Sequence, residues 1–233
     1  MADVEDQCST QLHLTFVEML FALAIGEVAI DVGDLVTLQV QGTINLPTSL
    51  PVYSHLLLAT IVIAASWVGW RSSEFSGSKI RSVFSLDFVE LLIDVFLVVF
   101  YFLLVRLAEL PTGSSGTVPA EASSETWMIV VIMASYALWD ILSCRTDGSK
   151  LKLRVWASVT SFFLSLVALY LLPLESDSKG AVLFMDTALI GLVLLFRAMK
   201  LRDWGHHTKG SKALIVSLFV CCILLTVLAH IAS

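Results

Sequence analysis

Seven long apolar runs, separated by short polar stretches, make up most of the chain. They cover His13 to Leu35, Val52 to Trp70, Ser85 to Val105, Thr126 to Cys144, Leu153 to Leu172, Gly180 to Met199 and Ala213 to Ala232. Each approaches the about 20 residues an α-helix needs to cross a bilayer core. Backbone groups in lipid have no water to bond, and a helix satisfies them within one segment. Gly, Pro, Ser and charge fill the gaps, as in loops. The pattern predicts the all-α class: a polytopic transmembrane helix bundle of seven spans. A short acidic cytoplasmic N-terminus, residues 1–12, precedes a single domain over residues 13–232. The outer stretch at about 108–125, with the run PTGSSGTVPAEASS, offers little to bury and is expected to be a mobile loop.

Basic residues orient these spans, because short cytoplasmic loops retain excess Lys and Arg. Arg71, Lys79 and Arg81 follow the second run, Arg145, Lys150, Lys152 and Arg154 follow the fourth, and Arg197, Lys200, Arg202, Lys209 and Lys212 end or follow the sixth. Only Arg106 and Lys179, two of the 14 Lys and Arg residues, fall on the other side. The expectation is a cytoplasmic N-terminus and an external C-terminus. Aromatic residues agree, with Trp67, Trp70, Trp139 and Trp156 at inner ends and Tyr53, Trp127 and Tyr170 at outer ends.

Composition narrows the class further. Hydrophobic residues make up 57% of the chain and charged residues 15%, against roughly 25% charged in soluble domains. The net charge of −6 is not gathered into a tail or arm, so no nucleic-acid surface is expected. Cys8, Cys144, Cys221 and Cys222 have neither zinc-site spacing nor disulfide-scaffold density and read as free thiols. Phosphate-binding, GxSxG, HExxH and CxxC patterns are all missing, so nothing argues for an enzyme, and no cofactor is expected. A retinal protein needs a buried lysine for a Schiff base, which the seventh run lacks.

Acidic residues inside the runs are the informative departure, because a carboxylate at bilayer depth costs several kcal/mol. Glu18, Glu27, Asp31 and Asp34 lie in the first run, with the last three at i, i+4 and i+7 on one stripe. Asp87, Glu90, Asp94 and Tyr101 share a face of the third. Glu18, Glu90 and Asp140 lie toward the basic end, where Arg71 and Arg197 are candidate partners. Glu27 and Asp94 have no basic residue expected at their depth, which suits a site that exchanges a proton or cation. The stripe Ala22, Gly26, Ala29 and Gly33 suggests a close-packing face that would make the first helix central. Asp31, Asp34, His55, Asp186 and His230 all fall near outer ends, and a weaker expectation places a metal among Asp31, His55, Asp186 and His230.

Two sequence likenesses bear on these readings. Phe16-Val17-Glu18-Met19-Leu20 echoes Phe88-Val89-Glu90-Leu91-Leu92, as a parallel repeat would. Phe21-Ala22-Leu23-Ala24-Ile25 with Asp31, then Ser66-Trp67-Val68-Gly69-Trp70-Arg71, resembles the opening of small bacterial potassium channels related to the lysosomal one. That family's Arg upstream of a Phe-Ser-Asp triplet is missing from the first run, so none of its pore residues is carried over.

The expected function is an integral membrane protein that moves or senses a monovalent cation or proton. It would be a channel or coupled transporter with an ion path over Glu27, Asp94, Glu18, Glu90, Asp31 and Asp140. The expected setting is the lipid bilayer of a plasma or bacterial inner membrane, with a homo-oligomer as one arrangement. The alternative is a non-transporting sensor, scaffold or effector whose buried acids are structural.

Overall fold

The computed structural model describes residues 2–73, 86–108, 122–147, 152–171 and 179–200. They form six helices: α1 Ala2–Val40, α2 Leu46–Ser73, α3 Leu86–Arg106, α4 Ala122–Asp147, α5 Lys152–Leu171 and α6 Lys179–Lys200. No strand occurs among the described residues. The expected seventh run, Ala213 to Ala232, and its His230 lie outside them.

Four helical segments are long and apolar enough to cross a membrane: Ser49–Arg71, Phe88–Arg106, Ala122–Ser143 and Val182–Lys200. The apolar segment of α5, Val155–Tyr170, is shorter. The outward face carries Leu23, Ile30, Leu57, Phe96, Leu103 and Phe163, all well exposed. Such a surface suits hydrocarbon as its solvent rather than water. The chain is therefore an all-helical, membrane-embedded protein.

Helix boundaries depart from the apolar runs at three places. First, α1 includes residues 2–12, because no Gly or Pro interrupts the chain before Gly26. At its other end the helix runs past Leu35 to a glycine stop. There Gly42 takes φ +71°, its N–H donates to Gln39 O and the Thr43 N–H donates to Leu38 O. These are the two bonds of a Schellman cap, whose left-handed residue is best filled by glycine. Second, α2 begins at Leu46, so Pro51 sits inside the helix. Third, α4 begins at Ala122, so Ala122 to Glu125 are helical rather than loop.

Neighbouring helices pack antiparallel where the chain turns directly. Gln39 near the end of α1 donates to Ser49 at 2.5 Å and accepts from the Tyr53 hydroxyl at 3.1 Å, while Glu18 meets Arg71 at the opposite end of the α1–α2 pair. α2, α4 and α6 run in the same direction, and α1 and α3 run opposite to them. α2 packs mainly on α1, α3 and α6, and α4 on α3, α5 and α6, with polar side chains also meeting between α2 and α4. In the core the Phe21 ring meets two others, Trp70 at 6.1 Å and Tyr101 at 5.9 Å.

The small-residue stripe of α1 is not the face that packs. Val17, Phe21, Ala24, Val28, Asp31 and Leu35 are buried, at alternating spacings of four and three, while Ala22, Ala29 and Gly33 are exposed. A Cβ at Gly26 or Gly33 would meet nothing within 4 Å. In lipid, leaving the hydrocarbon brings no hydrophobic gain, so packing contacts set the face, and on α1 the larger side chains make them. Among the described residues α1 packs mainly on α2 and α3. Gly26→Ala and Gly33→Ala are each expected to leave thermal stability unchanged or raise it by about 0.4–1 kcal/mol. A melting curve in lipid nanodiscs that drops for either variant would show that another surface covers the stripe.

Candidate cation site

Three polar side chains converge where α2, α4 and α6 begin. His55 of α2, Glu125 of α4 and Asp186 of α6 each have an exposure of 0%, and one ligand atom from each lies within 4.8 Å of the others. His55 Nδ1 is 2.6 Å from Glu125 Oε1, and Ser54 Oγ contacts Asp186 Oδ2. The parallel run of these helices brings residues from the N-terminal half of each to one level, with Glu125 in the first turn of α4, where the positive end of the helix dipole favours negative charge.

The far side of the imidazole fixes its tautomer. His55 Nε2 lies 2.6 Å from the Leu104 carbonyl oxygen in the last turn of α3. A carbonyl only accepts, so Nε2 carries the hydrogen and donates it. That carbonyl also accepts from the Leu107 N–H at 3.3 Å, and its second lone pair takes the imidazole hydrogen. In a neutral ring, Nδ1 then presents its lone pair to the two carboxyl groups.

Proton counting shows that the cluster is short of positive charge. His55 Nδ1, both oxygens of Glu125 and Oδ1 of Asp186 are buried without a hydrogen-bond partner. The single Ser54 hydroxyl hydrogen faces both the Pro51 carbonyl at 2.8 Å and Asp186. With both acids ionised and the imidazole neutral, one hydroxyl hydrogen would serve the whole group. Two unpaired carboxylates buried this way are too costly to persist. The site needs one or more protons, or a metal ion.

Below the cluster lies an apolar belt and then a second polar level. Ser66, Tyr136 and Arg197 each stand eleven positions on from a cluster residue (55 to 66, 125 to 136, 186 to 197), about 16 Å along a helix axis. The Tyr101 and Tyr136 hydroxyls are 2.8 Å apart, and Tyr136 donates to Ser66. Arg197 lies 5.5 Å from the Tyr136 ring centroid, with its guanidinium against Gly69. Between the levels, Ala59, Val62, Ile129, Met133, Leu189 and Val193 are all buried.

The acids singled out from sequence have separate fates. Glu27 has a basic partner after all: Arg106 Nη2 is 2.5 Å from its Oε1, because the long Arg106 side chain reaches back from the end of α3. The expectation that no cation shares the depth of Glu27 is therefore corrected. Arg106 is 69% exposed, so Glu27→Gln strands no buried charge and should cost under about 1 kcal/mol. A melting shift larger than that would mean the pair is more enclosed in the membrane. Asp94 is half-buried and engaged in an interaction of its own.

Glu18 pairs with Arg71, as the basic end allowed. Asp140 takes Lys200 at 2.9 Å and accepts from Ser158, so Lys200 rather than Arg197 is the cation at its carboxylate. Glu90 accepts from Ser143 at 3.0 Å. The two glutamates of the sequence echo thus have different partners. Asp31 is buried and close enough to His55 for their charges to interact, whereas Asp34 is exposed.

His55 and Asp186 were legible as outer-end candidates, but Glu125 was not. It stands one residue before the apolar run of α4, where an acid reads as a solvated loop residue. The overlooked signal is the acid itself, since Asp and Glu are enriched in the first turn of a helix, and Glu125 stands in the first turn of α4. Comparison with family models, with curated proteins and with solved structures finds no match to this chain.

Proposed function

We propose that the chain is a seven-span membrane protein, N-terminus cytoplasmic and C-terminus external, that carries a cation through an occluded site formed by His55, Glu125 and Asp186. The supporting observation is the charge deficit: His55 Nδ1, both Glu125 oxygens and Asp186 Oδ1 are buried on three helices, the 2.6 Å contact between Nδ1 and Glu125 Oε1 has no hydrogen once Nε2 carries that of the ring, and one hydroxyl hydrogen faces the group. A group that must take up positive charge, and that three separate helices hold together, is suited to binding and release as those helices shift.

Complete burial and the apolar belt favour a carrier over an open pore, because a channel needs a continuous polar route. Asp31 would supply further negative charge near the site. Glu27, Glu18 and Asp140, each next to a basic side chain, serve mainly to hold helices. Ion flux into proteoliposomes under proton, K⁺, Na⁺ and divalent-ion gradients tests the reading. Wild type should move at least one of these ions, and Glu125→Gln and Asp186→Asn should abolish the movement while remaining folded. Equal flux in the variants would remove the cluster from the transport path.

The sensor reading has one observation in its favour, the same ion pairs holding α1, α3, α4 and α6. It predicts binding without flux in the same vesicles.

A further inference from the structure

We propose that the cation held by His55, Glu125 and Asp186 is a divalent transition-metal ion of the zinc class, bound through His55 Nδ1 and one oxygen from each carboxylate. This deepens the preceding reading and rests on it only in using the same three residues. Four features of the geometry point to a metal rather than to protons alone.

Charge matches first. Two carboxylates and a neutral imidazole carry two negative charges, which one divalent ion cancels. Donor type comes second: imidazole with carboxylates suits Zn²⁺ and its first-row neighbours, whereas Ca²⁺ and Mg²⁺ prefer all-oxygen shells.

The imidazole supplies the third feature. Metal-binding histidines donate their other ring N–H to a carbonyl or carboxylate, which fixes the tautomer and aims the free nitrogen. His55 does this through Nε2 and the Leu104 carbonyl, 2.6 Å away. With the ring hydrogen on Nε2, Nδ1 turns its lone pair toward Glu125 Oε1, 2.6 Å away, so that contact needs either a proton or an ion between the two atoms.

The fourth feature is size. Metal–ligand bonds of about 2.0–2.2 Å hold ligand atoms on one ion roughly 3–4 Å apart. The three candidate atoms lie within 4.8 Å of one another, and the tightest pair, at 2.6 Å, needs to open only slightly to admit an ion. Ser54, beside Asp186, is placed to orient that carboxylate from outside the coordination shell. A fourth position is left for water or a moving ligand, as in metal sites that are not purely structural.

The test is titration of chelator-treated, full-length protein in nanodiscs with Zn²⁺, and separately with Co²⁺ followed by visible absorption. Wild type should bind one Zn²⁺ per chain, and Co²⁺ should give the ligand-field bands of a four- or five-coordinate nitrogen–oxygen site. His55→Gln, Glu125→Gln and Asp186→Asn should each weaken binding beyond the about 10- to 100-fold typical of outer-sphere changes. Leu138→Ala, at an exposed position of α4 far from Glu125, should bind normally. Absence of stoichiometric binding, or of the Co²⁺ bands, in folded wild type would overturn the proposal, and that measurement needs no variant to fold. If proton flux still depends on Glu125 in that case, the carrier reading stands with the proton as its cation. If neither ion nor proton moves, both readings fall.

Discussion

Lys200→Met is expected to destabilise the protein by about 3–5 kcal/mol, the cost of stranding one member of a buried ion pair. Asp140 is 0% exposed and Lys200 10%, with 2.9 Å between Nζ and Oδ2. The ammonium also lies over three rings, 5.2 Å from the Tyr136 centroid, 5.3 Å from Trp139 and 5.3 Å from Phe196. Removing it leaves the Asp140 carboxylate, among the described residues, with the Ser158 hydroxyl as its donor. Asp140→Asn added to Lys200→Met should restore most of the loss, because no net charge then remains buried. For a chain of this size, 3–5 kcal/mol corresponds to roughly 6–20 °C in melting temperature. A single variant that melts with wild type would show that water or lipid headgroups reach the pair.

That pair also shows where sequence reading stops. Asp140 was recognisable as an acid near the basic end, and a cationic partner was foreseeable from the cluster of Lys and Arg there. Which cation it would be depended on the rotation of α6. Arg197 and Lys200 stand three residues apart, so they share a face but occupy successive turns. The Lys200 side chain reaches Asp140, while Arg197 falls one turn earlier, against Gly69 of α2. Periodicity gives a helix its face but not its height against a neighbour.

The same limit accounts for α1. Its sequence offers two inward faces, one of small residues and one of large apolar residues, and either is a plausible contact in a membrane. Only the hairpin through Gly42 and the Gln39 bonds to Ser49 and Tyr53 sets the rotation that buries Phe21 and exposes Gly33. For Glu27, the decisive group was a long side chain from another helix end. Arg106 sits several residues nearer the helix terminus in any sequence layout, yet its side chain spans that difference. The helical class and the membrane setting were legible because hydrophobic run length alone determines them. The cluster was legible in part, since His55 and Asp186 are polar interruptions in apolar runs, while Glu125 hides at a helix start.

Glu125→Gln gives the sharpest expected reversal, because its effect on stability should change sign with the ion present. In metal-free protein at about pH 8, protons are scarce for a carboxyl group, and the cluster must bury negative charge or capture protons at a cost. The substitution removes one charge and brings an NH₂ group whose hydrogens can serve His55 Nδ1 and Asp186 Oδ1, two atoms that now lack partners. Satisfying them should raise stability by about 1–3 kcal/mol over metal-free wild type. Saturating Zn²⁺ should raise the wild-type melting temperature above that of the variant, which keeps two ligands and gains little. The two melting curves therefore exchange order between chelator and zinc. A Glu125→Gln protein less stable than wild type in chelator, with no zinc-dependent rise in either, would instead show that Glu125 holds its own proton and donates it to His55, a structural hydrogen bond across α2 and α4.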